Sequence, residues 1–120
     1  PSFVLQHFVR DRCRGEKIPL EAAIHVMSSK PARIYGLDDR GTVEVGKKAD
    51  LNIIDLDTLE LKMPHLVDDL PSKSERIIQN VDGFVATIVS GEVTFRNGEH
   101  TGAKPGRLLR GRRTKEAQAA

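Results

Sequence analysis

The stretch Phe84-Val-Ala-Thr-Ile-Val89 is largely apolar on both of its faces and is bracketed by two dipeptides that end in glycine, Asp82-Gly83 and Ser90-Gly91. Successive side chains of a strand point to opposite sides, so Phe84, Ala86 and Ile88 share one face and Val85, Thr87 and Val89 the other. Such a strand requires cover on both faces, which places it inside a layered fold. Its surroundings carry the same punctuation. Arg76 to Val81 and Val93 to Arg96 read as further strands, and Asn97-Gly98 closes the block. Glycine in the three dipeptides supplies the positive φ that tight hairpin turns need. Upstream, residues 49 to 56 form the strongest strand of the preceding half, and Thr42 to Val45 a shorter one between turns at Asp39-Arg40-Gly41 and Gly46-Lys47-Lys48. Residues 57 to 74, with Pro64, Pro71 and no clear period, are expected to be a long surface loop.

The first 37 residues follow a different rhythm. Val4, Leu5, Phe8 and Val9 fall on one stripe of an amphipathic helix over residues 2 to 14, which Gly15 is placed to end. A second helix opens near Pro19 and carries Leu20, Ala23, Ile24 and Met27 on one face. Pro31 is expected to stop or kink it, leaving a further turn from Ala32 to Tyr35 capped by Gly36. The fold class is therefore α+β: two N-terminal helices, residues 1–37, followed by a small antiparallel or mixed β portion, residues 38–103, and a basic tail, residues 104–120, expected to be flexible.

Composition bounds what such a chain contains. Its 120 residues suffice for one domain with a modest core and exclude a complete eight-stranded β/α barrel, which needs roughly 250 residues. Residues 1 to 103 carry 13 Lys/Arg and 16 Asp/Glu, and residues 104 to 120 carry 6 and 1, so the formal net charge of +2 arises in the tail. No window approaches the ~20 apolar residues of a membrane span. Five short strands, one of them two-sided, and two amphipathic helices present more apolar surface than this length readily hides. The chain reads as part of something larger, and its start at Pro1 without an initiating Met agrees with that expectation.

Candidate chemistry is sparse. His7, His25, His65 and His100 are scattered without His-x-His or His-Glu-x-x-His spacing, and Cys13 is the only cysteine, so neither a closed metal site nor a disulfide is indicated. His7 and Asp11 stand at i, i+4, a spacing that orients an imidazole as a base, but no nucleophile accompanies them and a surface pair is favoured. His25 reads as a packed or half-exposed helix residue. Cys13 lies between Arg12 and Arg14, which favours a thiolate, yet an incidental helix cysteine is the simpler reading. Ser28, Ser29, Ser72, Ser74 and Ser90 lie in no nucleophile elbow, and neither Gly41 to Gly46 nor Gly102 to Gly106 completes a phosphate loop. Asp50 and Asp55, five apart, fall on opposite faces of a regular strand and are read as turn and strand-end residues. The tail from Lys104 to Lys115 is the one feature favouring nucleic acid, but it lacks interleaved aromatics. Nucleic acid is not an expected partner.

Two segments carry a resemblance. Gly41-x-x-x-x-Gly46-Lys-Lys-Ala-Asp50-Leu-Asn-Ile-Ile-Asp55, followed by Ile88-Val-Ser-Gly-Glu-Val-Thr-Phe-Arg-Asn-Gly-Glu99, resembles the C-terminal signature of the amidohydrolase superfamily. Thr101 to Gly111, with Pro19-Leu-Glu-Ala-Ala23 and Pro31-Ala-Arg33, is similar more narrowly to the N-acyl-D-amino-acid deacylase (D-aminoacylase) branch. The resemblance implies that residues 38–103 contribute to a β-sandwich accessory domain beside a metal-dependent β/α-barrel, that residues 1–37 are late barrel helices, and that the remaining sandwich strands come from the enzyme's N-terminus. It implies hydrolysis of a non-peptide C–N bond, with zinc or another divalent metal bound elsewhere in the parent. No residue here matches the family's metal-binding or catalytic positions, so the expected catalytic, cofactor-binding and metal residues of this chain are none. The expected partner is the remainder of a cytoplasmic enzyme, which this chain supports structurally. The alternative is a free-standing interaction module that completes its sheet by pairing with a partner or with itself.

Overall fold

The computed structural model of the chain describes residues 1–72 and 74–109. The expected tail falls partly outside this range: residues 110–120 lie outside the described residues, and 104–109 take no regular structure.

Helix α1 spans Leu20–Met27 and α2 spans Ser29–Ile34. Pro19 stands at the N-cap of α1, where a missing N–H costs nothing. The break between the helices falls at Ser28, at φ −125° and ψ −75°, and not at Pro31 as expected. Proline acts at a distance here. In one continuous helix its ring would collide with the carbonyl four residues earlier, so the chain kinks before it and Pro31 occupies the first turn of α2. Gly36, at φ +66°, ends α2 as anticipated. The Leu37 N–H donates to Ala32 O at 2.8 Å and the Gly36 N–H to Arg33 O at 3.2 Å, a Schellman pair.

The first helix departs from its expected α winding. Val4–Asp11 is a π-helix, with i to i+5 bonds such as Arg12 N–H to His7 O at 2.7 Å. The wider turn keeps Leu5 and Val9 on the core while Phe3, His7 and Phe8 gather beside it.

Eight strands follow among the described residues, where five were expected. β1 (Leu51–Ile54), β6 (Phe84–Val89), β7 (Glu92–Arg96) and β8 (Glu99–His100) form one sheet in the order β1-β6-β7-β8. Two ribbons stand apart from it, β2 (Glu60–Leu61) with β5 (Val81–Asp82) and β3 (His65–Val67) with β4 (Arg76–Ile78). Every pairing is antiparallel. The expected loop over 57 to 74 is thus corrected, since it contributes β2 and β3. Thr42 to Val45 forms no strand: Val43 and Val45 are 83% and 107% exposed, and nothing among the described residues pairs with them.

The turn dipeptides divide. Ser90-Gly91 at φ 53° and 83° joins Val89 to Glu92, and Asn97-Gly98 at φ 49° and 83° joins Arg96 to Glu99, both two-residue hairpins of the expected kind. Asp82-Gly83 makes no hairpin, because Val81–Asp82 pairs with Glu60–Leu61 and Gly83 leads straight into β6. The two-sided strand is the interior of its sheet, as its composition demands, but its cover is incomplete. Ala86 is buried while Val85 is 40% exposed.

The buried core is small and sits where the helices meet the sheet. Leu5, Ala23 and Leu59 form its centre, with Val9, Met27, Ile54 and Phe84 against it. Elsewhere Ile34, Tyr35, Met63 and Ile77 each stand more than two-thirds exposed. The Cα radius of gyration is 17.9 Å, against about 14 Å for a compact domain of this length.

Candidate functional site

The segment carrying the Gly-x-x-x-x-Gly-Lys-Lys-Ala-Asp pattern forms a clasp. The Ser90 N–H donates to Asp50 Oδ1 at 2.7 Å, and the Gly91 N–H donates to Ala49 O at 2.9 Å, so two adjacent residues hold both residues of the β6–β7 turn. Arg40 Nη1 donates to Asp50 Oδ2 at 2.9 Å, and the same guanidinium holds Asp39 at 2.9 and 3.1 Å. Charge-assisted bonds of this kind are the stronger ones, and here they join the connector after α2 to the residue that precedes β1. Asp55 serves a second turn, accepting from Asp57 N–H at 3.1 Å and Thr58 N–H at 3.4 Å. Both aspartates are turn and strand-end residues, as their spacing indicated.

The other candidates are engaged separately. His7 stacks on Phe3 at 5.1 Å, whereas Asp11 is held by Arg10 at 2.6 Å, so the i, i+4 pair does not meet. His25 Nδ1 lies 2.7 Å from Ser29 Oγ on the exposed side of the helices. His100 Nδ1 accepts the Gly102 N–H at 3.0 Å, and His65 lies exposed on β3. Cys13 is free and exposed. Ser28 Oγ donates to Ile24 O at 2.6 Å, and Ser72 and Ser74 bond each other at 2.7 Å. Among the described residues no three His, Cys, Asp or Glu side chains gather as a metal ion requires. A surface groove of about 340 Å³ collects His25, Ser29, Arg33, Arg40 and Lys47, but its Arg40 and Lys47 are already bonded to Asp50 and Thr42. No helix among the described residues is long and apolar enough to cross a membrane.

Sequence reasoning missed Gln6 and Arg10. Arg10 Nη1 donates to Leu56 O at 2.6 Å and to Asp57 O at 2.9 Å, and Gln6 Oε1 accepts the Leu61 N–H at 2.9 Å. Their i, i+4 spacing places them on one helix face, but nothing local points to backbone partners some fifty residues away.

The ion pairs set a pH dependence. Arg10 holds the Asp11 carboxyl below its ordinary range, Arg40 does the same for Asp39 and Arg76 for Asp69, while the Thr58 hydroxyl lowers Asp55. Asp82, then Glu60, raise Lys62. A depressed carboxyl contributes stability above its unfolded value and loses it as pH falls; a raised lysine contributes below its unfolded value and loses it as pH rises. Thermal melts followed by circular dichroism are expected to give a plateau from about pH 5 to about pH 10 with a fall below about pH 4. Because these pairs are exposed, 0.5 M salt flattens the profile. A melting temperature that rises as pH drops from 5 to 3 would contradict the assignment.

A family model for the Amidohydrolase family matches residues 5–95. The chain is 35% identical over 107 residues to the N-acyl-D-glutamate deacylase of Alcaligenes xylosoxydans xylosoxydans, covering 89% of this chain and 19% of that protein. It is 36% identical over 107 residues to the N-acyl-D-aspartate deacylase of the same organism, covering 88% and 19%. It is 34% identical over 96 residues to the allantoinase of Deinococcus radiodurans, covering 79% and 21%. The chain therefore spans about a fifth of the length of these curated relatives. No solved structure matches it. On the breadth of the family match and the likeness to the two deacylases, the chain belongs to the amidohydrolase family, in its D-aminoacylase-like branch.

Proposed function

We propose that this chain is the C-terminal structural portion of a metal-dependent hydrolase that cleaves the C–N bond of N-acyl-D-amino acids. In this reading residues 1–37 are late barrel helices and residues 38–103 belong to a β-sandwich accessory domain. Its partners are the barrel and the remaining sandwich strands. Family members are generally metal-dependent. The donors described here do not fit a metal, so the reading assigns the ion, zinc or another divalent cation, to the remainder of the protein, together with every catalytic residue. The lone Cys13 suits a reducing compartment, and the reading places the enzyme in the cytoplasm.

One observation carries this reading. Apolar side chains on both layers stand in water, from Ile34 and Tyr35 at the end of α2 to Val85 on the interior strand, in a chain matching about a fifth of its deacylase relatives. Large exposed apolar surfaces mark contacts with other protein. The deacylases are preferred to the allantoinase as guides because they match a larger share of this chain.

The test uses the longer protein that carries this chain and, separately, the 120 residues alone. The longer protein is expected to release D-glutamate or D-aspartate from the N-acetyl compounds, to spare the L isomers and to stop after chelation, while the short chain releases nothing. Metal-dependent deacylation by the short chain would overturn the structural role. Turnover of allantoin with no action on the N-acyl-D-amino acids would overturn the substrate class and keep the C–N hydrolase. A monodisperse self-associated form of the short chain, with no longer protein to complete, would favour the interaction module instead.

A further inference from the structure

The first helix offers two side chains to the backbone of the β1–β2 connection and of β2. Leu56 O and Asp57 O both accept from Arg10 Nη1, and the Leu61 N–H donates to Gln6 Oε1. These three groups belong to a turn and a two-residue strand. The hydrophobic centre lies under the same place, with Leu5 of the helix 5% exposed and Leu59 of the connection fully buried. Arg10 is itself fixed in aim by two bonds to Asp11, at 2.6 and 3.0 Å, and its own carbonyl accepts from Lys17.

We infer that Gln6 and Arg10 form a polar latch that makes the first helix and the β1–β2 connection a single cooperative body. If the helix lifts away, Leu5 leaves Leu59 and the latched backbone groups lose their partners together, so partial opening retains neither the apolar contact nor the hydrogen bonds. The helix accordingly travels with the β-layer. This inference deepens the proposed function, on which it rests for its consequence: in the complete enzyme the latch keys the β-layer to the helical body that the rest of the chain packs against. The latch itself depends only on the contacts above.

Native-state hydrogen exchange on the longer protein, read by mass spectrometry on peptides covering residues 4–11 and 58–62, tests it. The two peptides are expected to share one opening equilibrium and one dependence on added urea. Gln6→Met, which keeps the side chain's size and removes its acceptor, is expected to speed exchange at Leu61 by about 10-fold or more while peptides from β6 and β7 are unchanged. Arg10→Met is expected to speed exchange in both latched peptides together. A helix that exchanges faster than residues 58–62 with a weaker urea dependence in the unaltered protein overturns the single body. Unchanged exchange at Leu61 in Gln6→Met overturns the latch. Neither result bears on deacylase turnover, which is measured separately, so the failure of the latch and the failure of the proposed activity are told apart.

Discussion

Gly83→Val is expected to leave the chain unfolded, and Gly83→Ala to cost about 3 kcal/mol, because two independent penalties meet at this position. The backbone there has φ +90°, which disfavours any L side chain. A Cβ would also stand 2.6 Å from Leu59 Cα, 2.8 Å from Leu59 N and 3.0 Å from Asp55 O. These are backbone atoms of the connection that contains the fully buried Leu59, so none can swing aside as a side-chain tip would. Gly91 isolates the two penalties. Its φ is +83° and nothing lies within 4 Å of where a Cβ would stand, so Gly91→Ala is expected to cost only about 1 to 2 kcal/mol, for the left-handed conformation alone. The measurement is urea denaturation of the two alanine variants side by side. The close approach predicts a midpoint clearly lower for Gly83→Ala, with similar slopes. Equal midpoints would show that the contact with Leu59 contributes nothing.

Gly83 also shows what could be read in advance and what could not. Asp82-Gly83, Ser90-Gly91 and Asn97-Gly98 look alike as dipeptides. For the latter two the reading holds, because a two-residue hairpin is decided by the residues in it and the strands on either side. Asp82-Gly83 fails because Val81–Asp82 is claimed by Glu60–Leu61, a partner twenty residues upstream. The same cause hid β2 and β3. Strands of two and three residues beside prolines have no period of their own and exist only through their pairing. Thr42 to Val45 errs the other way, alternating like a strand while no described residue supplies an edge for it. The helical half was more readable, since Pro19, Gly36 and the spacing of Leu20, Ala23 and Met27 act within a turn or two. At the clasp, spacing correctly marked Asp50 as a strand-end residue, but its bond to Ser90 spans 40 residues and leaves no local trace. Family membership was accessible because it resides in the glycines and the Ala-Asp pair, which repeat a pattern without requiring its geometry to be understood.

The uneven cover of the apolar residues yields the second large effect, Leu59→Ala. Leu59 is fully buried, with Leu5 and Ala23 beside it and Ile54, Val81 and Phe84 around it. Removing three carbons there forfeits their transfer free energy and leaves a cavity whose walls come from two helices, a ribbon and the main sheet, which cannot all close in at once. A loss of about 3 to 4 kcal/mol is expected, a large part of what a domain of this size has to lose. Val45→Ala in the same short chain is expected to change stability by less than about 0.5 kcal/mol, since that side chain is 107% exposed. The contrast becomes a test of cover when both substitutions are repeated in the longer protein. Leu59 already has its neighbours, so its cost is expected to be the same in both contexts. Val45 has none here, and a cost that rises to about 1 kcal/mol or more in the longer protein would mean that other chain packs on it. If Val45→Ala stays silent there, and substitutions at Ile34 and Val85 do likewise, the apolar faces are not the seams of a larger enzyme, and the structural role proposed for this chain fails at the observation that carries it.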